Sequence, residues 1–149
     1  MLAGEIGAYT TKLKRLSGGT LIKQFIQNMN LTEESTQKPR MYLYSAHDIN
    51  VGAFSKAHGF KKPEIPLYGS TIIVEKLRDN AGSIFVRIML WTGVTEELTT
   101  YTIPGCGKIC PISKYLNFVK DVIPTDEESN CLWDVVTKDE LRQYYKDVN

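Results

Sequence analysis

A histidine and an aspartate stand side by side at positions 47 and 48, between two stretches of contrasting character. Before them runs Arg40-Met41-Tyr42-Leu43-Tyr44-Ser45-Ala46, an apolar segment that reads as a buried strand. After them Ile49-Asn50-Val51-Gly52-Ala53-Phe54-Ser55-Lys56-Ala57-His58-Gly59 reads as a short helix. Ligands gather at the carboxyl ends of strands in open α/β sheets. A helix N-terminus presents anions with N–H groups and the positive end of its dipole. An imidazole and a carboxylic acid at such a junction can grip a phosphate and protonate the group that leaves it. The plainer reading is that Asp48 caps the helix, as Asp often does, and that His47 is an ordinary packed or solvated ring.

Other routes to phosphate chemistry close quickly. The second histidine, His58, lies eleven residues on, and at ~1.5 Å per helical residue that is roughly 16 Å from His47. It cannot reach the same phosphate, and a cation at a helix C-terminus suits the dipole. A cysteine phosphatase needs an arginine six positions past its nucleophile. Cys106, Cys110 and Cys131 have Ile112, Leu116 and Thr137 there. Gly105-Cys106-Gly107-Lys108 lacks the upstream glycine and the following Ser or Thr of a P-loop. Two histidines and these cysteine spacings do not make a metal centre, so no metal is expected. Tyr68 could flank a substrate, but an ordinary packed tyrosine is the simpler expectation.

The elements that must position the pair are those of a globular α/β chain. Of 149 residues, 42% are hydrophobic and 23% charged, which excludes a disordered segment. Eighteen basic and seventeen acidic side chains leave +1 with no basic stripe, against a nucleic-acid partner. The apolar run Ile84–Trp91 is far too short to span a membrane and is broken by Arg87. Residues 5–16 carry an apolar helical spacing, Gly18-Gly19 interrupt it, and Leu21, Ile22, Phe25, Ile26 and Met29 form a second helical stripe. Gly59 suits the end of the helix that starts at Ile49. Residues 70–77 and 83–91, rich in β-branched and aromatic side chains, flank Asp79-Asn80-Ala81-Gly82 and predict a β-hairpin. Residues 97–103 suggest a third strand. Ile112, Tyr115, Leu116 and Val119 mark a helix with Pro111 in its first turn. Thr137-Lys138-Asp139-Glu140 opens a last helix through Tyr145. The hairpin is expected to pair beside the strand before His47, giving a mixed sheet flanked by helices.

The opening residues lack the basic start and apolar stretch of a signal peptide, yet the cysteines speak for an oxidising compartment. Cys106 and Cys110 bracket a Gly- and Pro-rich loop that suits a small disulfide ring. Cys131 is left over. Asn30-Leu31-Thr32, just past a helix end, fits an N-glycosylation acceptor, although that tripeptide is frequent by chance.

Four motifs in order carry a resemblance: Leu16-Ser17-Gly18-Gly19, Tyr44-Ser45-Ala46-His47-Asp48, Pro66-Leu67-Tyr68-Gly69-Ser70 and Pro104-Gly105-Cys106-Gly107-Lys108-Ile109-Cys110-Pro111. From about residue 5 to Cys131 the chain resembles the C-terminal part of the histidine acid phosphatases, closest to the prostatic, lysosomal and insect venom types. The resemblance implies the phosphoglycerate mutase-like (histidine phosphatase) fold. It divides the chain into a phosphatase segment, 1–131, and a tail, 132–149. It assigns phosphate binding to His47 and leaving-group protonation to Asp48, in an enzyme that hydrolyses small phosphate monoesters through a phosphohistidine without a cofactor. The family's nucleophile motif, Arg-His-Gly-x-Arg-x-Pro, does not occur in these 149 residues. The family pattern also implies that Cys131 pairs with a cysteine outside this chain. A secreted or lysosomal site is implied by the same resemblance, and a homodimer stays open because some relatives dimerise. The chain alone is expected to be inactive. The rival reading is a truncated, inactive phosphatase-like module that is secreted and binds.

Overall fold

The computed structural model describes residues 10–31, 41–60, 66–94 and 98–129. The expected helical residues 5–9, Cys131 and the helix opening at Thr137 lie outside the described residues. The first helical run has three parts: α1, Thr11–Lys14; a π-helical turn, Arg15–Gly19; and α2, Thr20–Leu31. Thr10 caps its start, its Oγ1 accepting from the Leu13 N–H at 3.1 Å. The glycine pair expected to interrupt this run lies inside it. The reason is packing. A Cβ on Gly18 would stand 2.2 Å from the Ala53 carbonyl oxygen, and one on Gly19 would stand 1.9 Å from that of Val122. These glycines let other backbones come close, and the wide π turn accommodates them.

Helix α3, Asp48–Ala57, follows an extended segment, and His58 is its C-cap. Gly59, at φ 71°, takes the next position. The Gly59 N–H donates to the Lys56 carbonyl and the Phe60 N–H to that of Ser55, a Schellman ending that requires a left-handed residue.

The expected hairpin forms from β1, Thr71–Arg78, and β2, Ile84–Trp91, in register from Thr71 opposite Trp91 to Arg78 opposite Ile84. Asp79 makes the turn: its Oδ1 accepts from the N–H groups of Ala81 and Ser83 at 3.0 and 2.8 Å. The second edge of β2 is shared by β3, Leu98–Thr100, and β4, Cys110–Pro111. Arg87, which breaks the apolar run of β2, is matched across the hairpin by Glu75, with Nε donating to Oε2 at 2.6 Å. That carboxylate raises the Arg87 pKa further above its ordinary value.

Helices beside a sheet appear as expected, but every described pairing is antiparallel. The strand anticipated before His47 is not one: residues 41–47 carry no strand, and Met41 and Leu43 are 77% and 87% exposed. Strand propensity becomes a strand only where a neighbour completes the ladder, and no described strand lies beside this segment.

The core gathers Ile22 and Met29 of α2, Phe54 and Ala57 of α3, and Val86, Ile88 and Leu90 from one face of β2. Tyr115 and Val119 of α4, Ile112–Val119, close it. Pro111 is the N-cap of α4 rather than its first helical residue. A 3₁₀ turn, Lys120–Val122, leads to α5, Asp126–Ser129. Thr125 and Glu128 form a reciprocal capping box there, at 3.1 and 2.9 Å. Arg15 and Lys23 tie this end to the first helical run through Glu128 at 2.5 Å and Asp126 at 2.7 Å. Among the described residues no helix is long and apolar enough to cross a membrane.

Cys106 and Cys110 form the expected disulfide, their Cα atoms 5.5 Å apart. The ring is small, so the entropy it removes from the unfolded chain is worth about 2 kcal/mol. Reduction is therefore expected to lower the unfolding midpoint modestly without abolishing folding, as read by circular dichroism with and without a thiol reductant. A collapse of all cooperative unfolding would contradict this.

Candidate active site

Helix α3 carries a histidine at each end, and the two ends differ. His47 is the N-cap, at φ −96° and ψ 164°, and Asp48 is the first helical residue. The plainer reading of the sequence makes Asp48 the cap; the structure moves that position back by one. Asn50 reaches back so that its Oδ1 accepts the His47 N–H at 3.1 Å. The carboxylate of Asp48 accepts the Ile49 N–H at 2.8 Å, and the Asn50 N–H donates to the His47 carbonyl at 3.0 Å. Both His47 and Asp48 are exposed. The pair stands on the rim of the molecule, at the positive end of a ten-residue helix.

Three residues before His47, Tyr44 fastens the extended segment to α2. Its ring lies 5.2 Å from that of Phe25, and its hydroxyl accepts a hydrogen bond from the Asn28 amide. Phe25 also meets Phe54, in the middle of α3, at 5.5 Å. Asn28 is buried, and its Oδ1 accepts from Gln24 Nε2 at 3.2 Å. Lys76 of β1 reaches the same helix, donating to the Met29 carbonyl at 2.7 Å. Asn28 is not singled out by the sequence reasoning. Its one signal there is an amide beside an apolar stripe.

At the other end, His58 is 1% exposed. Its Nδ1 is 2.9 Å from the Phe54 carbonyl oxygen and its Nε2 is 3.0 Å from the Tyr115 hydroxyl. A carbonyl can only accept, so Nδ1 bears the hydrogen and Nε2 accepts from Tyr115. Phe60 stacks on the ring at 5.1 Å, while Phe54 and Phe118 tilt against it at 4.3 and 6.4 Å. Burial lowers the His58 pKa from 6.5 to about 4, partly opposed by the Phe54 carbonyl. The dipole reading of His58 is therefore overturned. The ring is neutral and apolar-packed, because burial costs more than a helix end returns. Its separation from any chemistry at His47 is as the helix length required.

Tyr68, expected to be packed, is fully exposed. It sits at the corner of a turn closed by the Ser70 N–H on the Leu67 carbonyl at 3.1 Å, followed by Gly69 at φ 78°. A corner residue of such a type II turn points outward. Asn30, placed just past a helix end by the sequence, lies on the last turn of α2 and is exposed.

The family described as the histidine phosphatase superfamily (branch 2) matches residues 7–90, a stretch that contains α1, α2, the Tyr44–Asp48 segment, α3 and all of the hairpin but its last residue. The chain belongs to that superfamily. Within it, the venom acid phosphatase Acph-1 of Apis mellifera is 36% identical over 124 residues, covering 82% of this chain and 32% of that protein. The prostatic acid phosphatase of Rattus norvegicus is 32% identical over 118 residues, covering 79% of this chain and 31% of the relative. The lysosomal acid phosphatase of Homo sapiens is 29% identical over 117 residues, covering 78% and 28%. The chain thus spans about a third of the length of these curated relatives.

Proposed function

We propose that His47 and Asp48 are the phosphate-binding and proton-donating side of an acid phosphatase site that hydrolyses phosphate monoesters through a phosphohistidine. The observation that supports this reading is an exposed His-Asp pair on the N-terminal turn of a helix, inside the stretch matched by the superfamily. There the imidazole donates to a phosphate oxygen, and the helix dipole adds to the attraction. Asp48 Oδ1 accepts from the Ile49 N–H, so Oδ2 is the oxygen left to hand a proton to the leaving alkoxide. A general acid of this kind contributes roughly 10²–10⁴-fold.

The attacking histidine would come from outside these 149 residues. The only other histidine, His58, is buried against Tyr115 at the opposite end of the helix. The disulfide suits a secreted or lysosomal setting. In that setting Asn30 would be glycosylated and Cys131 would pair with a cysteine supplied from elsewhere. The exposure of the whole segment from Met41 to Ile49 favours a second reading, a secreted phosphatase-like module that binds without turning over.

The test uses the two histidines against each other. Inorganic phosphate added to the full chain is expected to shift the His47 ring signals in NMR saturably and to leave those of His58 in place. p-Nitrophenyl phosphate at pH 5 is expected to show no turnover by the chain alone. A His47 ring indifferent to phosphate would remove the phosphate-site reading. Turnover abolished by Asp48→Asn would show that the chain needs no outside nucleophile.

A further inference from the structure

We infer that Asn28 and Tyr44 are positioning residues for His47, fixing the segment that delivers it to the start of α3. The inference rests on the phosphate-site reading only for its functional consequence; its structural half stands on the geometry. The stretch from Met41 to His47 has no regular secondary structure and is exposed throughout. Extended, exposed chain has many conformations, so something must choose the one in which His47 caps the helix. Asn50 holds the His47 N–H from one side. On the other side, the Tyr44 hydroxyl accepts from a buried amide and its ring rests on Phe25.

The amide is itself fixed. Asn28 is buried, it accepts from Gln24, and it sits two turns from the N-terminal end of α2. Phe25, one turn earlier on the same helix, touches Tyr44 on one side and Phe54 of α3 on the other. The platform that holds the approach to His47 therefore also holds the helix that His47 caps, and the two cannot drift independently. Gln24 satisfies the Asn28 oxygen, and the buried Nδ2 donor takes the Tyr44 hydroxyl as its acceptor, so breaking this contact would leave a buried N–H unpaired. In a site whose ligand is gripped by one imidazole and a helix end, a displacement of the imidazole by an ångström is costly.

The experiment compares the full chain with Tyr44→Phe, which keeps the ring and loses the hydroxyl, and with Asn28→Leu. Two quantities are read. The backbone order parameter of His47, from ¹⁵N relaxation without ligand, is expected to fall from the rigid range near ~0.85 toward ~0.6 in Tyr44→Phe. The dissociation constant for inorganic phosphate, from the His47 ring shift, is expected to rise roughly five- to tenfold, the worth of one lost hydrogen bond. The buried His58 ring signals serve as the record of an intact fold and are expected to stay in place in Tyr44→Phe.

If Asn28→Leu fails to fold, Tyr44→Phe decides alone. An unchanged His47 order parameter in Tyr44→Phe overturns the inference, whatever phosphate does. A lowered order parameter in a chain whose His47 never responds to phosphate upholds the positioning role and removes the phosphate site. A lowered order parameter with unchanged phosphate affinity upholds the brace and overturns its part in binding.

Discussion

Gly18→Ala is expected to destabilise the protein by about 2 kcal/mol, although alanine is the better helix former. The two effects oppose each other and their sizes decide the sign. Removing a glycine from a helix interior gains about 1 kcal/mol. Against that, the new methyl would stand 2.2 Å from the Ala53 carbonyl oxygen and 2.8 Å from the Ala57 Cβ. Both obstacles belong to α3, and the nearer one is backbone, which no rotamer change can move aside. The helix must retreat by roughly an ångström, at an overpacking cost of about 3 kcal/mol. That retreat carries His47 and Asp48 with it, so the phosphate response of His47 should weaken as well. Gly52→Ala, inside α3, is the internal control. A Cβ there meets nothing within 4 Å, so the same exchange should stabilise by up to ~1 kcal/mol. Urea unfolding of the two variants beside the parent chain checks this. If Gly18→Ala proves as stable as the parent, the close approach of the helices is wrong.

Acid is expected to weaken the protein through His58 by about 3 kcal/mol between pH 6.5 and pH 4. The native ring stays neutral down to about pH 4, whereas the ring in the unfolded chain takes up its proton near 6.5. In that interval the unfolded chain binds more protons than the native one, so stability falls as pH falls. Above 6.5 the contribution is fully present; below about 4 it is gone. Of the groups that touch the ring, Phe54, Phe60, Phe118 and Tyr115, only Tyr115 titrates, and burial pushes its phenol upward, out of this range. Carboxylates add losses of the same sign at lower pH. Asp126, held below its ordinary value by Lys23, is one of them. The His58 share is isolated by comparing urea midpoints of the parent chain and His58→Phe at pH 7, 6, 5 and 4. The variant keeps an aromatic ring and loses the titration. It should begin less stable at pH 7, with Tyr115 and the Phe54 carbonyl deprived of their partner, and then lose less than the parent on acidification. Parallel pH profiles would mean that the ring is not held neutral.

How much the sequence disclosed depends on how local each cause is. The hairpin was legible because β-branched runs and Asp79-Asn80-Ala81-Gly82 lie within reach of one another, and the observed strands differ from the reading by about a residue at each end. The Cys106–Cys110 ring and the helix after Asp48 are local in the same way. The capping box at Thr125-Asp126-Glu127-Glu128 is equally local. The misreadings share a different origin. Glycine's low helix propensity said that Gly18-Gly19 break the helix, but Ala53 and Val122, far along the chain, decide the matter. The run from Arg40 to Ser45 has strand composition, yet a strand needs a neighbour that composition cannot supply. His58 looked like a charge at a helix end until Tyr115 and Phe118 of a later helix closed over it. At the candidate site, the His47-Asp48 dipeptide is visible in the sequence, whereas the contacts through Phe25 and Asn28 depend on a side-chain pattern that reads simply as an amphipathic face.

The π turn at Arg15–Gly19 places one surplus residue in the backbone spiral. Each residue of an ordinary helix turns the chain by about 100°, so everything before the bulge is rotated out of phase with the turns beyond it. Shortening this stretch by a single position would leave a smoother helix with a full complement of i to i−4 bonds. It would also swing Thr11–Lys14 around the axis and misalign the two glycines with the carbonyls they admit. The irregularity is thus a phase corrector, and regularising the spiral there would be an error of register.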